Sequence, residues 1–180
     1  MYAEQMITVY EPGVHRLTVD EFERVVPFLR HDRVELVDGV IYDVSPESHG
    51  HSKAVADVFL QLHARHPDQQ VLPGSGVHVD EVSLWAPDVY LLDALPDAEF
   101  EKYPMASDLL LAVEISVSTF RHDIRVKAPV YARNGIPEYW VLRPVLGRAW
   151  ELLRHTQPEG DGYQVVDTIA LPDGPGSLPI

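Results

Sequence analysis

The sequence predicts a single α/β domain of the α+β kind: a mixed central β-sheet flanked by helices, with an N-terminal hairpin and a C-terminal β-meander. Three observations predict it. The chain has 180 residues, 46% of them hydrophobic, which is enough for one core and short for two. Its periodicities run helix, hairpin, helix, short strands, helix, strands, the order of one sheet with helices packed on it. The apolar run "LLLAVEIS" has the length and composition of a central strand.

The elements follow in order. "TVDEFERVVPFL" begins on Thr18 and carries Glu21 three residues on, a capping box that opens a short amphipathic helix. "RVELVDGVIYDVS" sets two β-rich runs around Asp38-Gly39, a hairpin signal. "HSKAVADVFLQLHARH" places Ala54, Val55, Val58, Phe59 and Leu62 at helical spacing, so one face is buried. Short strands are expected over "QVLPG", "VHVDE" and "APDVYLLD", and a loop over residues 95–107. After "LLLAVEIS", Ser118 or Thr119 can cap a helix that Asn134-Gly135 can end. "PEYWVLRP", "RAWELLRH" and "YQVVDTIAL" read as an antiparallel meander with Tyr139 and Trp140 in the core. Residues 170–180, rich in Pro and Gly, read as a loose or strapped tail. "PGSG" is a turn and not a phosphate loop, since neither a lysine nor a helical pattern follows it.

Composition narrows the function. There is no cysteine, which excludes disulfides, thiolate zinc sites and cysteine nucleophiles. The start "MYAEQMITVY" lacks a secretory pattern and no stretch has the apolar length of a membrane span, so a cytoplasmic address is the default expectation. The net charge of −14 argues against a nonspecific polyanion binder. The charge is uneven, however. Arg121, Arg125, Lys127, Arg133, Arg143, Arg148 and Arg154 face only Asp123, Glu138 and Glu151 in that stretch, a local excess of +4 on a remainder of −18. A basic face and chance clustering both fit.

The chemistry starts from Glu114, a carboxylate inside an apolar run. Alternation places Leu110, Ala112, Glu114 and Ser116 on one face of the strand, and Leu109, Leu111, Val113 and Ile115 on the other. A buried carboxylate needs a cation, or an Arg or Lys, beside it. Asp88 raises the same question at the head of "DVYLLD". If the two strands are neighbours, two carboxylates converge at one edge of the sheet, a donor set that suits Mg²⁺ or Mn²⁺. Lys127 lies on the helix after the Glu114 strand. Helical side chains lean toward the N-terminus, so its ammonium can return to the strand end, orient a water or steady charge on a phosphate. Glu35 faces away from Val34 and Leu36 and is a fourth candidate. Singly, each has an ordinary reading: Glu35 an exposed edge-strand acid, Asp88 a turn residue, Glu114 a salt-bridge partner of an Arg, Lys127 a surface lysine. Asp123, one turn before Lys127, can pair with it. Tyr131 shares its face and packs or borders the site. His49 and His51 fit capping or loop roles better than a zinc pair.

In order, "VELVDGVIYDVSPESHGHS", "APDVYLL", "LLLAVEISVST" and "DIRVKAPVYARNGIPEYWVL" resemble the motif blocks of the Uma-type putative restriction endonuclease family, within the PD-(D/E)XK nuclease superfamily. The resemblance runs from Arg33 to Leu142. It implies a restriction-endonuclease-like core in which Asp88 and Glu114 bind Mg²⁺ or Mn²⁺, with the Ile115 carbonyl facing the metal and Glu35 a further metal or water ligand. The superfamily lysine stands two residues after the acid, where this chain has Ser116; the Uma-type lysine is borne on the next helix, at Lys127. His51 matches a family histidine and so lies near the site. The implied activity is endonucleolytic hydrolysis of DNA phosphodiesters, water displacing the 3′ oxygen in line. Cutting both strands with one site per chain favours a two-fold homodimer. The rival is a catalytically idle nuclease-like fold that binds nucleic acid or protein; the acidity leaves room for it, while the presence of all four candidate residues favours the enzyme. Pro129, two residues past Lys127, would cost a continuous helix roughly 3 kcal/mol, so the helix is expected to start late or bend.

Overall fold

The strands of the computed structural model divide between two sheets. Residue 13 and residues 15–29, 33–44, 46–93, 103–145 and 149–179 are described. The strands are β1 (Val34–Val37), β2 (Val40–Asp43), β3 (Gln70–Pro73), β4 (Val77–Asp80), β5 (Ser83–Trp85), β6 (Val89–Leu92), β7 (Leu109–Ile115), β8 (Glu138–Pro144), β9 (Trp150–Glu159) and β10 (Gly162–Leu171). The larger sheet has the order β10-β9-β8-β7-β6-β3. It is mixed because β7 and β8 run parallel, while its other neighbours are antiparallel. The expected meander forms its β8-β9-β10 end.

The N-terminal hairpin belongs to a second, four-stranded sheet of order β2-β1-β5-β4. The sequence suggests one sheet because β5 is only three residues long and carries no periodicity of its own. Asp38 and Gly39 have φ of 51° and 74°, the two positive values a tight hairpin turn needs. The turn is tied down by the Asp38 N–H on Ser83 Oγ at 3.1 Å and the Gly39 N–H on the Val82 carbonyl at 2.7 Å. It sets Glu35 opposite Tyr42 and Leu36 opposite Ile41.

Three cores stack the layers. Helix α1 (Val19–Val25) has the expected Thr18–Glu21 capping box and buries Val19 and Phe22 against Leu36 and Leu84 of the small sheet. Helix α2 (His49–Arg65) buries Ala54, Val58 and Leu62 against Val89, Leu91, Leu111, Val113 and Ile115 on one face of the large sheet. The opposite face, with Tyr90, Ala112, Tyr139 and Val141, packs on Val37, Val79 and Trp85 of the small sheet and on Tyr131 of the third helix. The tail is strapped, not loose: Gln61 donates to the Pro175 carbonyl at 2.9 Å and accepts from the Leu178 N–H at 3.0 Å, and Leu178 is buried beside α2.

The third helix is composite. A short α3 (Phe120–His122) leads into a π-helical turn over Asp123–Lys127 and then α4 (Ala128–Arg133). The helix does not start late at Pro129. It widens for one turn, closed by the Ala128 N–H on the Asp123 carbonyl, and Pro129 then falls in the first turn of α4, where its missing N–H does no harm. The helix ends as expected at Asn134-Gly135: Gly135 has φ 74°, its N–H reaches Ala132 O at 2.9 Å, and the Ile136 N–H reaches Tyr131 O at 3.2 Å. Thr119 stands at the N-cap but makes no capping bond.

Two local expectations are corrected. Leu91 pairs with Leu111 and Leu92 with Leu109, so Leu110 is bulged out. Leu109 therefore packs on the Ala112 side and Leu110 on the α2 side, the reverse of strict alternation. In the expected 95–107 loop, His78 bridges to Met105 and Ala106–Asp108 forms a 3₁₀ turn; residues 95–102 lie outside the described residues, as does Arg148. No helix among the described residues is long and apolar enough to cross a membrane.

Candidate active site between the two sheets

Glu114 and Asp88 come from adjacent strands. Val89 pairs with Val113, so one further step of the antiparallel register sets Asp88 across from Glu114. Asp88 sits half-buried just before β6, where its Oδ2 accepts the Ile115 N–H at 2.6 Å and meets His51 Nε2 at 3.1 Å. Glu35 enters from the small sheet: on β1 it lies on the face of Val37, opposite Leu36, and so points toward the large sheet. β1 is paired on both sides, so Glu35 is not an edge-strand acid.

Lys127 joins the two sheets. Its ammonium lies 3.1 Å from Glu114 Oε1, and 3.0 and 3.3 Å from the two oxygens of Glu35. Lys127 is 4% exposed and Glu114 5%. The Tyr131 hydroxyl donates to Glu114 Oε1 at 3.2 Å and accepts the Trp85 indole N–H at 2.6 Å; Trp85 also lies under the ammonium, 5.9 Å from ring centroid to Nζ.

Burial alone would lower the pKa of Lys127, but the charges of Glu114, Glu35 and Asp123 outweigh it and hold the amine above the ordinary lysine range. Lys127 is therefore a donor and a positive charge, not a proton acceptor. Burial pushes the Glu114 carboxyl well above the usual carboxylate range; Lys127 opposes this, while Asp88, Asp123 and Glu35 add to it. Four carboxylates, of Glu114, Glu35, Asp88 and Asp123, thus act on the site around the Lys127 ammonium.

The donor set fits a small hard cation in one respect. Asp88 uses Oδ2 and Glu114 uses Oε1 for the protein hydrogen bonds just described. Among the described residues Asp88 Oδ1 and Glu114 Oε2 take none, so each carboxylate keeps one oxygen free of protein donors. Among the described residues no three His, Asp or Glu side chains form a ready metal cluster. Two carboxylates, each with one such oxygen, would suit Mg²⁺, which takes one or two carboxylates and keeps several waters.

Of the remaining candidates, Asp123 is placed differently. Asp123 is buried and does not pair with Lys127; it accepts from the Ser116 and Thr119 hydroxyls, because the π turn takes Lys127 off the position one α-turn away. The Ile115 carbonyl accepts the Val117 N–H at 3.1 Å. Tyr131 borders the site through Glu114. His49 is exposed at the start of α2. His122 is a neighbour that sequence reasoning missed. Its ring meets Tyr42 at 4.6 Å, and burial, aided by Lys127, lowers its pKa. No motif marks it; it stands just before the π turn that carries Lys127 and meets Tyr42, the cross-strand partner of Glu35.

The basic stretch is largely neutralised within the chain. Arg133 pairs with Asp38 at 2.9 Å and Asp80 at 3.7 Å, Arg143 with Glu151 at 2.5 Å, and Arg154 with Glu138. Arg121 and Arg125 are exposed.

No curated protein matches the chain. Among solved structures it is similar to one described as a putative nuclease belonging to DUF820 from Anabaena variabilis ATCC 29413, with a TM-score of 0.56, 14% identity, and coverage of 87% of this chain and 84% of that one. At that identity the likeness speaks for the fold. Residues 19–177 match the family Uma2, described as "Putative restriction endonuclease", and that span takes in the small-sheet hairpin, both acid-bearing strands, the π turn and the meander. The chain belongs to the Uma2 family.

Proposed function

We propose that the protein is a Mg²⁺- or Mn²⁺-dependent endonuclease that hydrolyses DNA phosphodiester bonds. The observation that carries this reading is the pair of carboxylate oxygens free of protein donors, Asp88 Oδ1 and Glu114 Oε2, on adjacent strands beside the protonated Lys127. Membership of the family supports nuclease chemistry; the gathering of the Asp88, Glu114 and Glu35 carboxylates supports a cation.

Asp88 and Glu114 would hold the ion through those two oxygens. When bound it supplies Lewis acidity toward a phosphate oxygen and eases ionisation of water. Glu35, engaged through both oxygens by Lys127, anchors the lysine in this reading in place of acting as a further ligand. Lys127 donates an N–H to orient the attacking water, and its charge faces the negative charge that develops on the phosphate. The water oxygen bonds to phosphorus as the bond to the 3′ oxygen breaks in line; the water gives up a proton to solvent and the 3′ oxygen takes one from solvent, leaving a 5′-phosphate and a 3′-hydroxyl. Tyr131, with Lys127, fixes the Glu114 carboxylate, so its orientation needs no rearrangement during the reaction.

The test is incubation with plasmid, single-stranded DNA and RNA, with and without Mg²⁺ or Mn²⁺. The expected result is metal-dependent nicking of DNA, lost in folded Glu114→Ala and Lys127→Ala. A second reading, an idle nuclease-like fold used for binding, draws on the net charge of −14 and on the tying of Arg133, Arg143 and Arg154 to acids. DNA affinity without cleavage in either metal overturns the first reading in favour of the second.

A further inference from the structure

We infer that His51 is a positioning residue: it locks the Asp88 carboxylate so that Oδ1 faces the cation, and Glu47 backs its ring. This rests on the two-carboxylate reading above and extends it to residues outside the four site groups.

The argument starts with how Asp88 is held. Its Oδ2 takes two donors from different elements, the Ile115 N–H of the neighbouring strand at 2.6 Å and His51 Nε2 of α2 at 3.1 Å. A carboxylate only accepts, so Nε2 carries the proton. One donor would leave the carboxyl able to turn about its terminal torsion, which has broad preferences. Two donors converging on one oxygen fix the plane and leave Oδ1 as the outward atom.

His51 is itself held against both sheet and helix. Its backbone N–H is capped by Ser48 Oγ at 3.2 Å, which sets where the side chain leaves the first turn of α2. Its side chain is only 13% exposed. Nδ1 is the buried side-chain polar atom that lacks a hydrogen bond among the described residues; Glu47 Oε2 lies 3.4 Å away, out of hydrogen-bonding geometry. Glu47 is in turn paired with Arg33 at 2.5 Å. The series Arg33, Glu47, His51, Asp88, Ile115 runs from the surface to the sheet. Partners behind a metal's ligands of this type change metal affinity by about 10–100-fold when removed.

The experiment is calorimetric titration of Mn²⁺ into the full chain, with thermal unfolding followed in parallel. His51→Ala is expected to weaken Mn²⁺ binding by about 10-fold or more. His51→Gln, whose amide N–H can stand where Nε2 stood, is expected to restore most of it. A purely structural role would not follow the donor in this way. Should the alanine variant fail to fold, His51→Asn, which reproduces the position of Nδ1 but not of Nε2, is expected to show the same loss. Wild-type affinity in folded His51→Ala or His51→Asn overturns the inference alone. Absence of Mn²⁺ binding by the wild type overturns the two-carboxylate reading and this inference with it.

Discussion

Lys127 and Glu35 stand ninety-two positions apart in the chain and 3.0 Å apart in space. The contact joins the π turn of the third helix to the small sheet, directly over the strand that carries Glu114. One ammonium serves two buried or nearly buried carboxylates. That imbalance organises both the stability and the chemistry expected of the site.

Lys127→Met is expected to destabilise the fold by about 3–5 kcal/mol, because removing one partner of a buried ion pair leaves charge uncompensated. Urea unfolding of the metal-free protein measures it. A loss under about 1 kcal/mol, the scale of an exposed pair, would mean that the three groups are not buried together.

The effect of Glu114→Gln runs the other way. Burial raises the Glu114 pKa in the fold, so the folded state binds its proton more tightly than the unfolded chain does. The stability this contributes is fully present below the unfolded pKa and is lost as pH rises through the folded value. Glu114→Gln removes that loss, while Lys127 keeps Glu35. Metal-free Glu114→Gln is expected to be more stable than wild type at neutral pH and to show a flatter stability–pH curve. A wild-type curve that rises across the same window would contradict the assignment.

Tyr131→Phe strands the Trp85 indole N–H and removes one of the two donors to Glu114 Oε1, which keeps Lys127. Leaving a buried donor unpaired costs about 1–3 kcal/mol. Trp85→Phe in the Tyr131→Phe background should recover part of that loss, because no indole N–H then remains unpaired. Strictly additive losses in the double-mutant cycle would show that the two groups are not coupled.

Gly39→Ala tests the hairpin that brings Glu35 inward. Gly39 has φ 74°, and an added Cβ would meet the Arg16 Cβ at 2.3 Å. Backbone strain and overlap together predict a loss of about 1–3 kcal/mol, read by thermal unfolding. Unchanged stability would mean that the turn can take another shape.

What was legible in the sequence was local. Asp38-Gly39, the Thr18–Glu21 box, the face of α2 and the Asn134-Gly135 stop all depend on neighbours within one turn. Glu114 announced itself because a carboxylate is rare inside an apolar run. What was hidden depends on distant strands. The three residues of β5 form a strand only because β1 and β4 flank them, and they turn the hairpin into a second sheet. The Leu110 bulge reverses two side chains that strict alternation assigns with ease. Pro129 warned of a disturbance in the helix but not of its form, and the π turn that resolves it sends Asp123 to Ser116 and Thr119 instead of to Lys127. His51 was visible as a residue near the site; its grip on Asp88 was not, because thirty-seven positions separate them.

A crystal soaked in Mn²⁺ and recorded for anomalous scattering tests the central claim most directly. The account predicts one peak in contact with Asp88 Oδ1 and Glu114 Oε2, absent in Asp88→Asn. A peak held by other groups, or no peak at an Mn²⁺ concentration that supports cleavage, would contradict it.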